Sequence, residues 1–380
     1  MAPTDAAALD EANFPPAGSP ALSPAPTGHH RPASLVLHQR PPKLVYLDLN
    51  HWVELARANA GHREGERFRH SLSACVDAVD RGAALFPLAD SIYYEVSRIG
   101  PHRQRKDLAD VMQTVSRWVT VTSRSTIADH EVEAMLDRLV GRRPEPIRQR
   151  QYLGWGIHHA FGRPEPRWSV VNTETGEDVT EWVRATHPRG PDWFDAVLAD
   201  GNLRMNRDMI EGPSTPEAEA ELRSRGWDPY VAHESMKQRA QQQTDQAGRL
   251  DARWRRGRIR DVIAVTEVLT ELIAKMERGL AARGADTGAV FRQDAEARAA
   301  FAEMPSYDVA VTMKASYHRD ATRTWTPNDV NDIDALGSTL PYCDIVVTDK
   351  AVAAHARRTG LAARLGGTVL SRLDELVPLL

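Results

Sequence analysis

"KLVYLDLNHW", Lys43 to Trp52, decides how this chain is read. After Lys43 comes an unbroken apolar, β-forming run, the mark of a strand buried on both faces. The run ends on Asp48, and Asn50 follows, placed to cap a helix read over "NHWVELARAN". A carboxylate closing a buried strand either starts the next helix or is presented to something else.

Outward from this stretch, strands and helices alternate. "REGERFRHSLSACVDAVDRG" reads as a second helix ending at Gly82, and "AALFPLAD" as a second strand weakened by Pro87. Asp90 or Ser91 can cap "SIYYEVSRI", which breaks at Gly100-Pro101. A helix carrying Leu108, Val111, Met112 and Val115 leads to a third strand, "WVTVTS". Near the end, "NDVNDIDALGSTL" reads as a capped helix and "DIVVTD" as a buried strand. "KAVAAHARRTG" is a helix, "GGTVLS" a short strand and "LDELVPLL" a last helix. Between them, residues 139–300 show no strand alternation. Val262, Val265, Leu269, Leu272, Met276 and Leu280 fall there at helical spacing.

The expected organisation is a disordered Ala/Pro-rich leader (1–42), an α/β half (43–138), a mainly helical insertion (139–300) and a second α/β half (301–380). The two halves form one parallel sheet covered by helices on both faces, a three-layer α/β/α arrangement.

Composition narrows the function classes. Hydrophobic residues make up 42% and charged residues 26%, enough for a packed core, and the formal net charge of −4 excludes a chain coated in basic residues. The two cysteines, Cys75 and Cys343, exclude a disulfide framework and a cysteine zinc site, and suit a reducing cytoplasm. No apolar window has transmembrane length, so no membrane partner is expected. Gly-rich phosphate loops, G-x-S-x-G and H-E-x-x-H are all absent.

Strand direction places the acidic residues. The carboxyl ends of parallel strands share one rim, where open α/β sheets bind ligands. Asp48 and Asp349 close two of the strands, and Glu95 lies in the opening turns of a helix that leaves the rim. Asp332 starts "DIDALGSTL", which leads into a strand and so also begins at that rim. Asp344 opens its strand and belongs to the far edge, while Asp329 and Asp334 are within a turn of Asp332. Four converging carboxylates repel one another and call for a cation. Their oxygens suit Mg²⁺ or Mn²⁺, ions that activate water for attack on a phosphodiester.

"VYLDLNHW", "DSIYYEVSRI" and "NDVNDIDALGSTLPYCDIVVTDK" together, in this order, resemble the PIN-domain nuclease superfamily over about 43–125 and 305–380. The resemblance implies a metal-dependent nuclease with Asp48, Glu95, Asp332 and Asp349 as catalytic and metal-binding residues. Asn50 then matches the family asparagine that hydrogen-bonds around the first aspartate, and Thr348 the hydroxyl beside the last.

The basic run Arg253, Trp254, Arg255, Arg256, Arg258 and Arg260 reads either as a solvated helix face or as an arm for nucleic-acid phosphates with Trp254 stacking on a base. His158 and His159, adjacent on a helix, point apart and read as structural. The function expected is a cytoplasmic ribonuclease, with RNA favoured over DNA and the insertion open to a protein partner. The alternative is a PIN-like binding module without turnover, and a phosphatase of small esters is a weaker third reading.

Overall fold

The computed structural model describes residues 35–36, 42–144, 147–163, 170–224, 226, 229–250, 252–285 and 294–380. Its centre is a four-stranded sheet, all parallel, in the order β3 (Ala84–Leu85), β2 (Lys43–Leu47), β7 (Ile345–Val347), β8 (Thr368–Leu370). Val45 pairs with Ile345 and Leu47 with Val347, so strands nearly three hundred residues apart are neighbours. Leu44 to Leu47 and Ile345 to Val347 are all buried, and successive strand residues face opposite sides, so both faces of the sheet are covered. The architecture is α/β, mainly helical, around this sheet.

Pro87 limits the second strand as expected. Only Ala84 and Leu85 join the ladder to β2, and beyond the proline Leu88 pairs with β4 (Val119–Val121) instead. Leu88 donates to the Val119 carbonyl and accepts from Val121. A residue without an N–H cannot hold the ladder, and the chain changes partner across it.

Two strand pairs depart from the sequence reading. β4 also pairs, antiparallel, with β6 (Leu153–Trp155), inside the stretch expected to be helical. β1 (Leu35–Val36), within the expected leader, pairs with β5 (Ile147–Arg148); the leader's other residues, 42 excepted, lie outside those described. Strands of two or three residues are too short to display a period of two.

The helices begin where their caps dictate. α1 (Leu49–Asn59) is capped by Asp48, whose Oδ1 accepts from the Leu49 N–H at 2.8 Å; Asn50 is exposed in the first turn and caps nothing. The expected second helix divides into a 3₁₀ turn, Arg63–Phe68, and α2 (Arg69–Asp80). α3 (Asp90–Val96) has seven residues and an N-cap at Ala89, with neither Asp90 nor Ser91 in that role. α4 (His102–Val115) and α5 (Arg124–Leu139) follow.

The 139–300 stretch enters two cores. Tyr152, Ile157, Ile210 and Ala240 join the cluster around the sheet, and the Tyr152 hydroxyl donates to the Ser338 carbonyl at 3.1 Å. Ile259 to Leu280 build a second core with α5 and the Pro305–Tyr317 helix. Its buried stripe runs Ile259, Ile263, Glu267, Leu272, Met276, Leu280, whereas Val265 and Leu269 are exposed. The spacing is four residues except at one five-residue step, which falls on the π-helical turn Val268–Leu272. One wider turn rotates the apolar face, which a fixed 3.6 period cannot anticipate.

Candidate metal centre

Asp48 and Asp349 are produced by one local device used twice. β2 passes into a helix through Asp48 and β7 through Thr348 and Asp349, and in each the last residue before the helix has extended backbone and caps it with its own carboxylate. Asp349 Oδ1 accepts from the Ala351 and Val352 N–H groups, at 2.6 and 3.0 Å. The capping bonds and the positive end of each helix favour a carboxylate at these joints. β2 and β7 are parallel neighbours, so the two caps arrive side by side.

Asp332 comes from a helix running toward the sheet, Pro327–Thr339. That helix starts within a residue of the expected one, at a capping box formed by Thr326 and Asp329, which puts Asp332 in its second turn and not at its start. Ligand oxygens of Asp48, Asp332 and Asp349 lie within 4.8 Å of one another. Opposite oxygens of an ion held at about 2.0–2.1 Å are roughly 4 Å apart, so three all-oxygen donors at this spacing fit a hard divalent cation.

Glu95 stands next to this group without belonging to it. Because α3 is short, Glu95 lies in its last turn, not its opening turns. The Asn331 amide donates to Glu95 Oε1 at 2.9 Å and holds the carboxylate toward the rim.

The electrostatics are those of acids crowded without enough countercharge. Burial first, then Asp48, Glu95 and Asp349, push Asp332 up to about 8. Burial and Asp48 push Glu95 to about 7, against the pull of Asn331 and Arg98. Asp48 is raised by burial and by Asp349, while the Leu49 N–H, His51 and the Thr348 hydroxyl, 3.5 Å away, oppose the rise. A bound cation would reverse all three shifts.

The sequence reading missed His51 and Asn331. His51 is buried with Nδ1 2.9 Å from Glu54 Oε2 and Nε2 3.2 Å from the Thr348 carbonyl. Both neighbours accept hydrogen bonds, so both ring nitrogens carry hydrogen when both bonds form. Burial lowers the His51 pKa, but Glu54, the Thr348 carbonyl and Asp48 together raise it above its ordinary value. The i, i+3 spacing of His51 and Glu54 was the available signal. Nothing in sequence links Asn331 to Glu95.

The other acids near the rim have different duties. Asp344 accepts from the Leu44 N–H at the start of β2, as its place on the far edge requires. Asp329 belongs to the capping box and also binds Arg323. Asp334 pairs with Arg124 at 2.9 Å and Arg239 at 2.5 Å.

The basic run is largely engaged by contacts within the chain, although Arg256, Arg258 and Arg260 are exposed. Arg255 donates to the carbonyls of His318, Leu250 and Ala247, closing the ends of helices. Arg260 binds Asp308 and Thr312, Arg258 binds Asp261, and Arg256 bonds to Ala252 in its own helix. Trp254 is exposed with Arg258 over its ring; the Arg253 side chain lies outside what is described. His159 is buried against the Thr120 hydroxyl at 2.9 Å, a structural role.

No helix among the described residues is long and apolar enough to cross a membrane. Comparisons with protein-family models, curated proteins and solved structures gave no match.

Proposed function

We propose that the chain is a metal-dependent nuclease of PIN-like, three-layer architecture that hydrolyses phosphodiester bonds, with RNA as the favoured substrate. One observation carries the reading: Asp48, Asp332 and Asp349, from three separate segments, bring oxygens within 4.8 Å, and among the described residues none of the three forms an ion pair with an arginine or lysine. A fold gains nothing from such crowding unless a cation is to be held there.

The chain's own residues divide the work. Asp48, Asp332 and Asp349 would hold Mg²⁺ or Mn²⁺, and Glu95, adjacent and oriented by Asn331, would take part through a water or as a further ligand. The bound ion supplies Lewis acidity toward a water and a phosphoryl oxygen. Asp48 and Asp349 are fixed by their capping bonds, so their geometry is set before any ligand arrives. His51 ties α1 to the end of β7 through the Thr348 carbonyl and thereby holds the two caps together. Thr348 steadies the second oxygen of Asp48. Asn50, exposed, has no part in this arrangement.

The test is cleavage of labelled single-stranded RNA and DNA, with and without Mn²⁺, beside an Asp48→Asn variant. Metal-dependent cleavage of RNA that the variant lacks is expected. Strand binding with no cleavage by either protein would favour a binding module, and turnover confined to small phosphate esters would favour a phosphatase.

A further inference from the structure

Two walls of one groove belong to chain segments that lead away from acids of the proposed site, beginning at Val53 beyond Asp48 and at Ile99 beyond Glu95. α1 leaves Asp48 and presents Val53, Ala56 and Arg57, at i, i+3 and i+4, to a cavity of about 540 Å³. α3 ends just past Glu95, and Ile99 and Pro101 follow it into α4, which adds Arg103 and Leu108 to the same cavity. The floor is apolar, from Val53, Ala56, Ile99 and Leu108.

A third wall is built by close approach. The 3₁₀ turn Arg63–Phe68 lies on the end of α1, with the His62 N–H donating to the Arg57 carbonyl at 3.0 Å. A Cβ on Gly65 would sit 2.3 Å from the Arg57 carbonyl carbon, so only glycine allows this contact. The turn thereby holds Arg63 over the groove.

The charges along the groove are unequal in their freedom. Arg57 is 3.2 Å from Glu64, and His62 faces Asp107 at 3.7 Å. Arg63 and Arg103 are exposed and have no ion pair among the described residues. Two uncommitted guanidinium groups above an apolar floor match a strand whose phosphates face outward and whose base faces turn inward. A duplex hides its base faces and cannot use the floor.

We propose that an unpaired nucleic-acid strand runs from the acidic rim along this groove, with Arg63 and Arg103 contacting phosphates. The proposal rests on the nuclease reading and adds the path and the single-stranded state of the substrate. It also moves the phosphate contacts away from the run at 253–260.

The experiment measures anisotropy of a labelled single-stranded RNA and of the same sequence as a duplex, across a salt series in EDTA, so that binding is read without cleavage. The proteins are the full chain, Arg63→Gln/Arg103→Gln, and the control Arg256→Gln, with matched thermal melts. The double variant should bind the single strand roughly tenfold more weakly, and its log–log salt slope should fall by about 1.4, at about 0.7 per lost contact. The control should match the original chain, and the duplex should bind more weakly than the single strand. An unchanged double variant, or a duplex bound as tightly as the single strand, overturns the groove. Absence of binding by the original chain also overturns it, and the Mn²⁺ cleavage assay then tells whether the nuclease reading falls too.

Discussion

Asp332 and Asp334 lie two residues apart on one helix, yet the protein drives them in opposite directions. Asp332 is pushed up to about 8 by burial and by its acidic neighbours. Burial would also raise Asp334, but Arg239 and Arg124 outweigh it and bring it down to about 2. Glu267 behaves like Asp334: Lys314 at 2.5 Å and Arg124 at 2.9 Å overcome burial and lower it to about 2. The two regions are thus a buried ion network paired with its own arginines and lysine, and a rim whose acids have no arginine or lysine ion pair among the described residues. An acid cluster alone identifies neither; what separates them is whether the chain supplies the countercharge.

Removing a carboxylate from the rim should have the largest consequence for activity and little for the fold. Asp48→Asn is expected to lower metal-dependent cleavage by about 10³-fold or more, corresponding to several kcal/mol of lost charge stabilisation. Single-turnover cleavage, with denaturant melts to show that the variant folds, checks it. Residual cleavage near the original rate would remove the rim from the mechanism.

Removing a cation from the network should do the opposite. Arg124→Met leaves Glu267 and Asp334 short of a buried partner and is expected to cost about 3–5 kcal/mol of stability. Urea unfolding measures the loss, and a change below about 1 kcal/mol would show the network to be well solvated.

A paired comparison on the shared helix sharpens the contrast. Without divalent ions near pH 8, Asp332→Asn relieves repulsion and should stabilise the protein by about 1 kcal/mol, a fraction of the full pKa shift. Asp334→Asn should destabilise it, because Arg124 and Arg239 lose a charge partner. If both changes shift the unfolding midpoint in the same direction, the distinction between the regions fails.

The pH dependence has two arms of opposite sign. Asp332 has a folded pKa above its unfolded one, so between about 4 and 8 the folded state holds a proton that the unfolded state releases, and stability falls as pH rises. Asp90 and Glu131, each raised to about 7 chiefly by burial, add to that slope. Glu267 has a folded pKa below its unfolded one, so its contribution is lost as pH falls from about 4.5 toward 2. Saturating Mg²⁺ or Mn²⁺ should flatten the part of the upper arm due to the rim and leave the acid arm unchanged. Melts across pH with and without metal read both.

Much of the rim was legible in the sequence because strand direction is a strong constraint. Asp48 and Asp349 follow from two apolar runs that end in acids, and Asp344 was correctly set at the other edge by the same logic. Strand direction also places Glu95 and Asp332 at this rim, although α3 is shorter than "SIYYEVSRI" suggests and Asp332 lies in the second turn of its helix, not at its start. Asparagine suits an N-cap, which favours Asn50 in the sequence, but the cap is Asp48, one residue after the strand. A fixed helical period puts Val265 and Leu269 on the buried stripe, but one π-helical turn shifts the face and leaves both exposed.

What the sequence determined by itself is the set of local alternations, strand then acid then helix, and hence the edge of the sheet on which each acid belongs. The tertiary structure decided which acids keep their charge balanced. Arg124, Arg239 and Lys314 reach Asp334 and Glu267 from other segments of the chain, contacts with no period and no local signature. Coulomb energy depends on distance in space, so a residue's neighbours in sequence leave its charge state open. Asp332 and Asp334 share almost every sequence neighbour and still part by their partners.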